Sequence, residues 1–464
     1  MRAPACLALL LAAASAGGAL AQAAAPQAPP DMSKWTAKPG PMSILSAQAT
    51  REPYGPKHDQ PLSLPLRPGS GGMPGARQPA EGGAPGQVLE TRPAMFPSQK
   101  PAFEGQTRAR AVRTQTPIET KIIAKGLDKP WALAFLPDGQ ILLAEKPGKL
   151  RLVTQAGKLG PDIEGVPPVF FVGDGGLFDV EIDPAFKSNR TFYLSFVGYR
   201  PDGNALMVVK AQLSRDGRRM ENIVQLLTMP SFNNMAHYGG RMLLAPDGTL
   251  LLGASERMDD AVRLLAQDPA SPMGKVLRIN TDGSIPKDNP YVDVTGAEPR
   301  VWTLGNRDVQ GFAVHPTTGK VWISDHGPQA GDEIDILEPG HNYGWPLVAY
   351  GGEYSGSLIT GGRTQWPGTD QPEYYWDPSI APSGIAFYSG GLIPEWRGNL
   401  FVTALNGRHL ARLVLDGDKV VGEERLLLEQ KQRVRDVAQG PDGALWVVTD
   451  DVDGRLIRLA PTGK

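Results

Sequence analysis

The chain has 464 residues, a formal charge of −2 from 47 basic and 49 acidic side chains, and one cysteine. That length accommodates one large domain with accessories, since all-β propellers use well over about 200 residues as one unit. The balanced charge excludes the basic stripe of a nucleic-acid binder, and a single thiol excludes a disulfide framework or a thiolate metal site.

In chain order, residues 1–21 carry Arg2, an apolar run from Cys6 to Ala14, and the small-x-small tripeptide Ala19-Leu20-Ala21. This is the pattern of a cleaved signal peptide, so a periplasmic or secreted protein is expected, and Cys6 leaves with the signal. The run is too short to span a bilayer, and no later segment reaches the roughly 20 apolar residues of a transmembrane helix. From residue 22 to 115 Pro, Gly, Ala, Gln and Ser dominate, as in QAAAPQAPP and RPGSGGMPGARQPAEGGAPG. Such a chain buries too little apolar surface to offset its ordering entropy, which predicts a disordered linker, either a spacer or a passive extension.

After Pro117 short alternating apolar runs are punctuated by Gly, Asp and Pro, the pattern of many short strands. A turn followed by an apolar strand recurs at LPDGQILLAEKPGKLRLV, DPAFKSNRTFYLSFV, APDGTLLLGASE, HPTTGKVWISDHG, RGNLFVTALNGRHLARLVL and GPDGALWVVTDDVDGRLIRL. Such units bury their faces only by stacking around a ring, so six copies predict an all-β, six-bladed β-propeller over residues 116–462. The uneven spacing of the copies, roughly 45 to 80 residues, places the excess in long loops at one end. Gly248, Gly319 and Gly443 occupy turns that require positive φ. The strand Glu119–Ala124 is placed to complete the last blade and close the ring, which leaves no long open edge.

Three clusters could carry chemistry. His237, in NNMAHYGGRMLLAPDG, lies on a loop entering the third repeat, and a neutral imidazole there suits a general base. A loop histidine can equally be turn-bonded or exposed, the reading that fits His315 in AVHPTTG. Arg307 follows Gly305-Asn306, while Arg433 and Arg435, spaced i, i+2 in an extended segment, share one face. Converging on the ring axis, the three would suit a polycarboxylate ligand; alternatively each pairs with its neighbour, Asp308 or Asp436. Gly327-Pro328, followed by Asp332 and Glu333, forms a turn whose oxygens could serve calcium, or simply a solvated acidic turn.

The segments PWALAFLPDGQILLAEKPGKLRLV, GDGGLFDVEIDPAF, MGKVLRINTDGSIPKDNPY, LGNRDVQGFAVHP, DHGPQAGDEID, HNYGWP and RVRDVAQGPDG follow one another in the chain. In content and order they resemble the soluble pyrroloquinoline-quinone (PQQ)-dependent sugar dehydrogenases, most closely the aldose sugar dehydrogenase branch, over residues 118–460. The resemblance implies a six-bladed propeller, PQQ and Ca2+ as cofactors, and oxidation of an aldose at its C1 hydroxyl to the lactone. A small sugar and an electron acceptor, a quinone or a cytochrome, are the implied partners. By position, His237 is similar to the catalytic base and Arg307 to the partner of the quinone C5 oxygen. Gln310, Arg433 and Arg435 match cofactor-binding positions, and the carbonyls of Gly327 and Pro328 match calcium ligands. Asp308, also at a cofactor position, stands where the family usually has Asn; Asp174 stands where a sugar-contacting Gln is common; and Asn406 lies near a position where a Lys often pairs with a cofactor carboxylate. Two added negative charges and one missing positive charge are expected to weaken binding of an anionic quinone. Ala236 replaces an acidic residue found in the glucose-specific branch, so glucose specificity does not follow. Two other readings of the scaffold are a Ca2+-dependent lactonase, whose metal is held mainly by side-chain carboxylates and asparagines, and a noncatalytic carbohydrate-binding propeller.

Overall fold

In the computed structural model the described residues are 83–464 apart from residue 261. The expected signal segment and residues 22–82 of the expected linker lie outside them. The described chain forms six four-stranded antiparallel sheets. Their first strands, Pro130–Phe135, Leu177–Ile182, Gly239–Leu244, Val309–Val314, Pro382–Phe387 and Val434–Gln439, each touch the first strands of both neighbouring blades, which closes a ring. This is the six-bladed propeller expected from the repeats.

The local chemistry of each repeat is simple. In the PDG turns the aspartate side chain accepts the amide two residues on, Asp138 from Gln140 at 3.0 Å, Asp247 from Thr249 at 2.9 Å and Asp442 from Ala444 at 3.2 Å. The following glycine then turns the chain at positive φ, 82° at Gly248 and 78° at Gly443, conformations that cost a side-chain-bearing residue energy. Closure is by the expected strand: Ile118–Leu127 pairs antiparallel with Gly454–Pro461, in the register Ile118↔Pro461 and Ile122↔Ile457. Strand from the start of the domain and strand from its end thus share one blade, with the closing strand at its outer edge. Apolar clusters fill the spaces between blades, with Trp131, Trp322, Trp396 and Trp446 almost fully buried.

One ionic group sits among the first strands. Arg241 donates to Asp179 at 3.0 Å and to the Gln310 carbonyl at 2.9 Å, lies 3.1 Å from Asp436, and stacks over Trp131 at 4.2 Å. It therefore ties together the first strands of blades 1, 2, 3, 4 and 6.

The linker expectation needs correction for residues 83–115, which are folded onto the propeller. Glu90 is buried and paired with Arg425 at 2.9 Å; Gln106 is fully buried, donates to the Pro372 carbonyl at 2.9 Å and accepts the Tyr350 hydroxyl at 3.0 Å. Thr114 donates to Glu424 at 2.6 Å. Composition misleads here because a few buried apolar residues, Leu89, Phe96, Ala109 and Ala111, are joined by polar side chains and backbone groups that reach distant partners, as in the bridge Ala111↔Glu423. No helix among the described residues is long and apolar enough to cross a membrane.

Candidate active site

In an antiparallel pair the start of one strand lies beside the end of the next. Five of the six blades therefore bring their first residues level with the end of the second strand: Pro130↔Glu145, Gly239↔Ala254, Val309↔Asp325, Pro382↔Ala404 and Val434↔Thr449. Side chains just before a first strand and just after a second strand share one face of the ring. There they line a cavity of about 420 Å3. Asp174, His237, Arg307, Asp308, Gln310, Gly327, Pro328, Asn406, Arg433 and Arg435, the residues singled out in the sequence, all line it. His315 does not; its Nδ1 accepts the amides of Thr317 and Thr318 at 3.2 and 3.1 Å, the turn-bonded role expected of it.

His237 is buried and adopts φ 43°, in the left-handed region, just ahead of Gly239 and Gly240 at φ 70° and 97°. Its amide donates to Asp174 at 3.2 Å and its Nδ1 lies 3.3 Å from Glu256 Oε1. Glu256 thus engages one ring nitrogen and leaves Nε2 for a ligand. Burial would lower the pKa of this imidazole and Arg307 acts the same way, but the Asp308 and Glu256 carboxylates outweigh both and raise it above its ordinary value.

Arg307 and Asp308 are pinned by one carboxylate, Asp325, which accepts their amides at 2.9 and 2.6 Å. Burial raises the Asp325 carboxyl to about 6 even with those amides. The Arg307 guanidinium donates to the carbonyls of His326 and Gly327 at 3.0 and 2.6 Å and sits 5.1 Å from the Trp345 ring. It is not paired with Asp308. Asp308 instead accepts the Gly239 amide at 3.0 Å and lies 3.6 Å from His326. Although burial pushes that carboxyl up, His237, His326 and Arg307 hold it far below the usual range. The negative charge expected to repel an anionic ligand is compensated inside the protein.

Arg433 and Arg435 do share a face, and what they share is Asp450, at 3.2 and 3.1 Å. Asp436, the alternative partner, is occupied by Arg241. Arg435 is buried and also donates to Gln310 at 3.2 Å, whereas Arg433 is exposed at the cavity mouth. Two cations escaped the sequence reading: Lys146 and Arg408 line the same cavity. Burial lowers the Lys146 pKa to about 8, with Arg435 and Arg433 adding to the effect and Asp450 opposing it. Arg408, two residues after Asn406, brings a positive charge to the same cavity. A signal existed for Lys146, though not for Arg408. Lys146, Glu256, His326, Asn406 and Asp450 all fall just after the second strand of a repeat, in LLAEK, GASE, SDH, ALN and VTD.

The lining carries Lys146, Arg307, Arg408, Arg433 and Arg435 against the carboxylates Asp174, Asp308 and Asp332. Arg307 and Arg435 each keep a buried Nε–H with no hydrogen-bond partner. This donor set fits a planar polycarboxylate. Asp332 is not a free metal ligand: it accepts the Gly327 amide at 3.1 Å, the Ser379 hydroxyl at 2.5 Å and the amides of Ile380 and Ala381, each at 2.7 Å. Desolvation drives the half-buried Glu333 carboxyl well up, with Asp335 and Asp325 adding to the shift. Among the described residues no group of three or more His, Cys, Asp or Glu is placed to hold a metal. The Gly327 carbonyl already accepts Arg307 at 2.6 Å, so an ion there would share that oxygen with the guanidinium and would need further oxygens from a ligand and water.

Residues 127–458 match the glucose/sorbosone dehydrogenase family. The chain belongs to this family. It is 39% identical over 349 residues to aldose sugar dehydrogenase YliI of Escherichia coli (strain K12), which covers 74% of this chain and 93% of the relative. The crystal structure of soluble aldose sugar dehydrogenase from E. coli in the apo-form aligns with TM-score 0.71 and 37% identity, covering 74% of this chain and 99% of that one. The structure of the PQQ-bound form of aldose sugar dehydrogenase from Streptomyces coelicolor aligns with TM-score 0.62 and 28% identity, covering 75% and 99%. As a member of this sugar dehydrogenase family the protein is an oxidoreductase, and the segment 83–115 precedes the matched region.

Proposed function

We propose that this protein is a PQQ-dependent aldose dehydrogenase of the periplasm that oxidises the C1 hydroxyl of an aldose to the lactone with the help of Ca2+. The observation that carries this reading is a buried histidine with one nitrogen held by Glu256 and the other free, in a cavity lined by five cationic side chains. When bound, PQQ supplies a two-electron acceptor for the C1 hydride and calcium a Lewis acid beside it. His237 Nε2 takes the hydroxyl proton, and Glu256 stabilises the imidazolium that results. Arg435, Arg433, Lys146 and Arg408 hold the cofactor carboxylates, with Gln310 and Asn406 beside them. Arg307 stabilises negative charge developing at the quinone oxygen, Asp308 orders the loop ahead of Gly239, and the carbonyls of Gly327 and Pro328 hold the ion. Asp174, exposed at the mouth and bonded to the His237 amide, contacts the sugar.

Purified mature protein reconstituted with PQQ and calcium should reduce an artificial electron-accepting dye when given aldoses, with the apo protein silent. Dye reduction independent of added quinone, or none across an aldose panel, would remove this reading.

A pH dependence follows from the geometry around His237. Only the neutral imidazole accepts a proton, so a raised pKa puts the acid limb of the kcat profile above the ordinary histidine value of about 6.5. Asp308→Asn keeps the acceptor for the Gly239 amide and removes the charge that most raises the His237 pKa. The acid limb should therefore move to lower pH. An unmoved or upward-shifted limb in a kcat–pH series counts against His237 as the base.

A further inference from the structure

The folded part of the N-terminal segment runs past the loop that backs Gly327 and Pro328. Gln99 grips this loop with three hydrogen bonds: Nε2 donates to the carbonyls of Ala349 and Gly351 at 3.0 and 3.2 Å, and Oε1 accepts the Gly351 amide at 2.6 Å. Phe96 lies against Gly352, where any Cβ would collide with its ring, and the amides of Met95 and Phe96 are anchored on Asp377 at 2.7 and 3.2 Å. Gln106 completes the grip by accepting the Tyr350 hydroxyl at 3.0 Å.

On its other side the same loop presses on the turn. The Gln329 amide donates to the Gly352 carbonyl at 3.0 Å. Gly331, at φ 74°, lies so close that a Cβ would strike the Tyr350 carbonyl, and a Cβ on Gly351 would strike the Ala330 carbonyl. Residues 349–352 are thus sandwiched between the N-terminal segment and residues 329–331.

We infer that residues 95–106 are a built-in brace for the cofactor turn, with Gln99 and Phe96 as positioning residues that hold loop 349–352 against Gln329–Gly331. By fixing the Gly327 and Pro328 carbonyls, the brace governs how tightly the cavity retains calcium-bound quinone; this part rests on the function proposed above. The physical reason is preorganisation: a turn with glycines at 327 and 331 has little side-chain packing of its own, and carbonyl ligands bind an ion well only when already in place. The brace lies ahead of residue 127, where the family match begins.

The test uses full-length protein and the Gln99→Ala variant, with Thr114→Val as a control elsewhere on the same segment, where the hydroxyl bonds Glu424 instead. Calcium-dependent PQQ binding is measured by spectroscopic titration, and amide hydrogen exchange is measured on the cofactor-free protein. Gln99→Ala should weaken quinone binding roughly tenfold and speed exchange at Gln329 and Gly331, while Thr114→Val changes neither. Unchanged quinone affinity in Gln99→Ala, or equal weakening in Thr114→Val, overturns the inference. If the wild-type protein binds no quinone, the proposed cofactor is wrong; unchanged exchange at Gln329 and Gly331 then overturns the brace as well, and faster exchange there upholds its grip on the turn.

Discussion

Replacing His237 with glutamine is expected to lower kcat roughly 10²- to 10⁴-fold, the share a positioned general base contributes, while PQQ binding stays nearly unchanged. The Arg, Lys and carbonyl groups proposed to hold the cofactor come from other blades. A glutamine amide is polar, close in size and able to donate to Glu256, so the buried carboxylate keeps a partner. What it lacks is a nitrogen that gains a proton near neutral pH. At φ 43° histidine is tolerated better than glutamine, so a modest loss of stability accompanies the substitution. Steady-state dye reduction, quinone titration and thermal unfolding of the same preparation separate these effects. A loss of kcat smaller than about tenfold would take His237 out of the proton-transfer step.

The Arg241→Ala variant should be destabilised by about 3–5 kcal/mol, the usual cost of stripping one partner from a buried ionic group. Asp179 and Asp436 would be left facing each other among the first strands without their cation. Burial already raises both carboxyls, Asp436 to about 6, against the pull of Arg241. Without Arg241 both pKa values rise further. A carboxyl whose folded pKa exceeds its unfolded value favours the folded state at low pH and loses that contribution as pH climbs through the folded pKa. The penalty should therefore be largest at neutral and alkaline pH and shrink toward acid. Denaturant unfolding of both proteins at several pH values measures it. A pH-independent difference, or one below about 1 kcal/mol, would mean the carboxylates find other partners.

Much of this architecture is legible from local sequence. PDG turns, alternating strands and their six-fold recurrence are decided within a dozen residues, because turn geometry and pleat depend on near neighbours. Ring closure by the strand Glu119–Ala124 also followed, since that strand stands just before the first full repeat. Candidate ligands were found where the chemistry is compact: His237, Arg307 and the Arg433/Arg435 pair each stand in a recognisable segment.

What the sequence could not decide was pairing across distance. That Asp450 would hold both Arg433 and Arg435, that Glu256 would meet His237, and that Lys146 and Arg408 would join them depends on four blades presenting the same edge to one cavity. The N-terminal segment shows the same division most sharply. Its composition reads as a linker, yet from residue 83 it is ordered, with Gln99 and Gln106 among the groups that reach partners more than two hundred residues away. Composition reports how much apolar surface a segment can bury; only the tertiary structure determines whether its polar groups find partners, because those bonds exist only once the ring has closed.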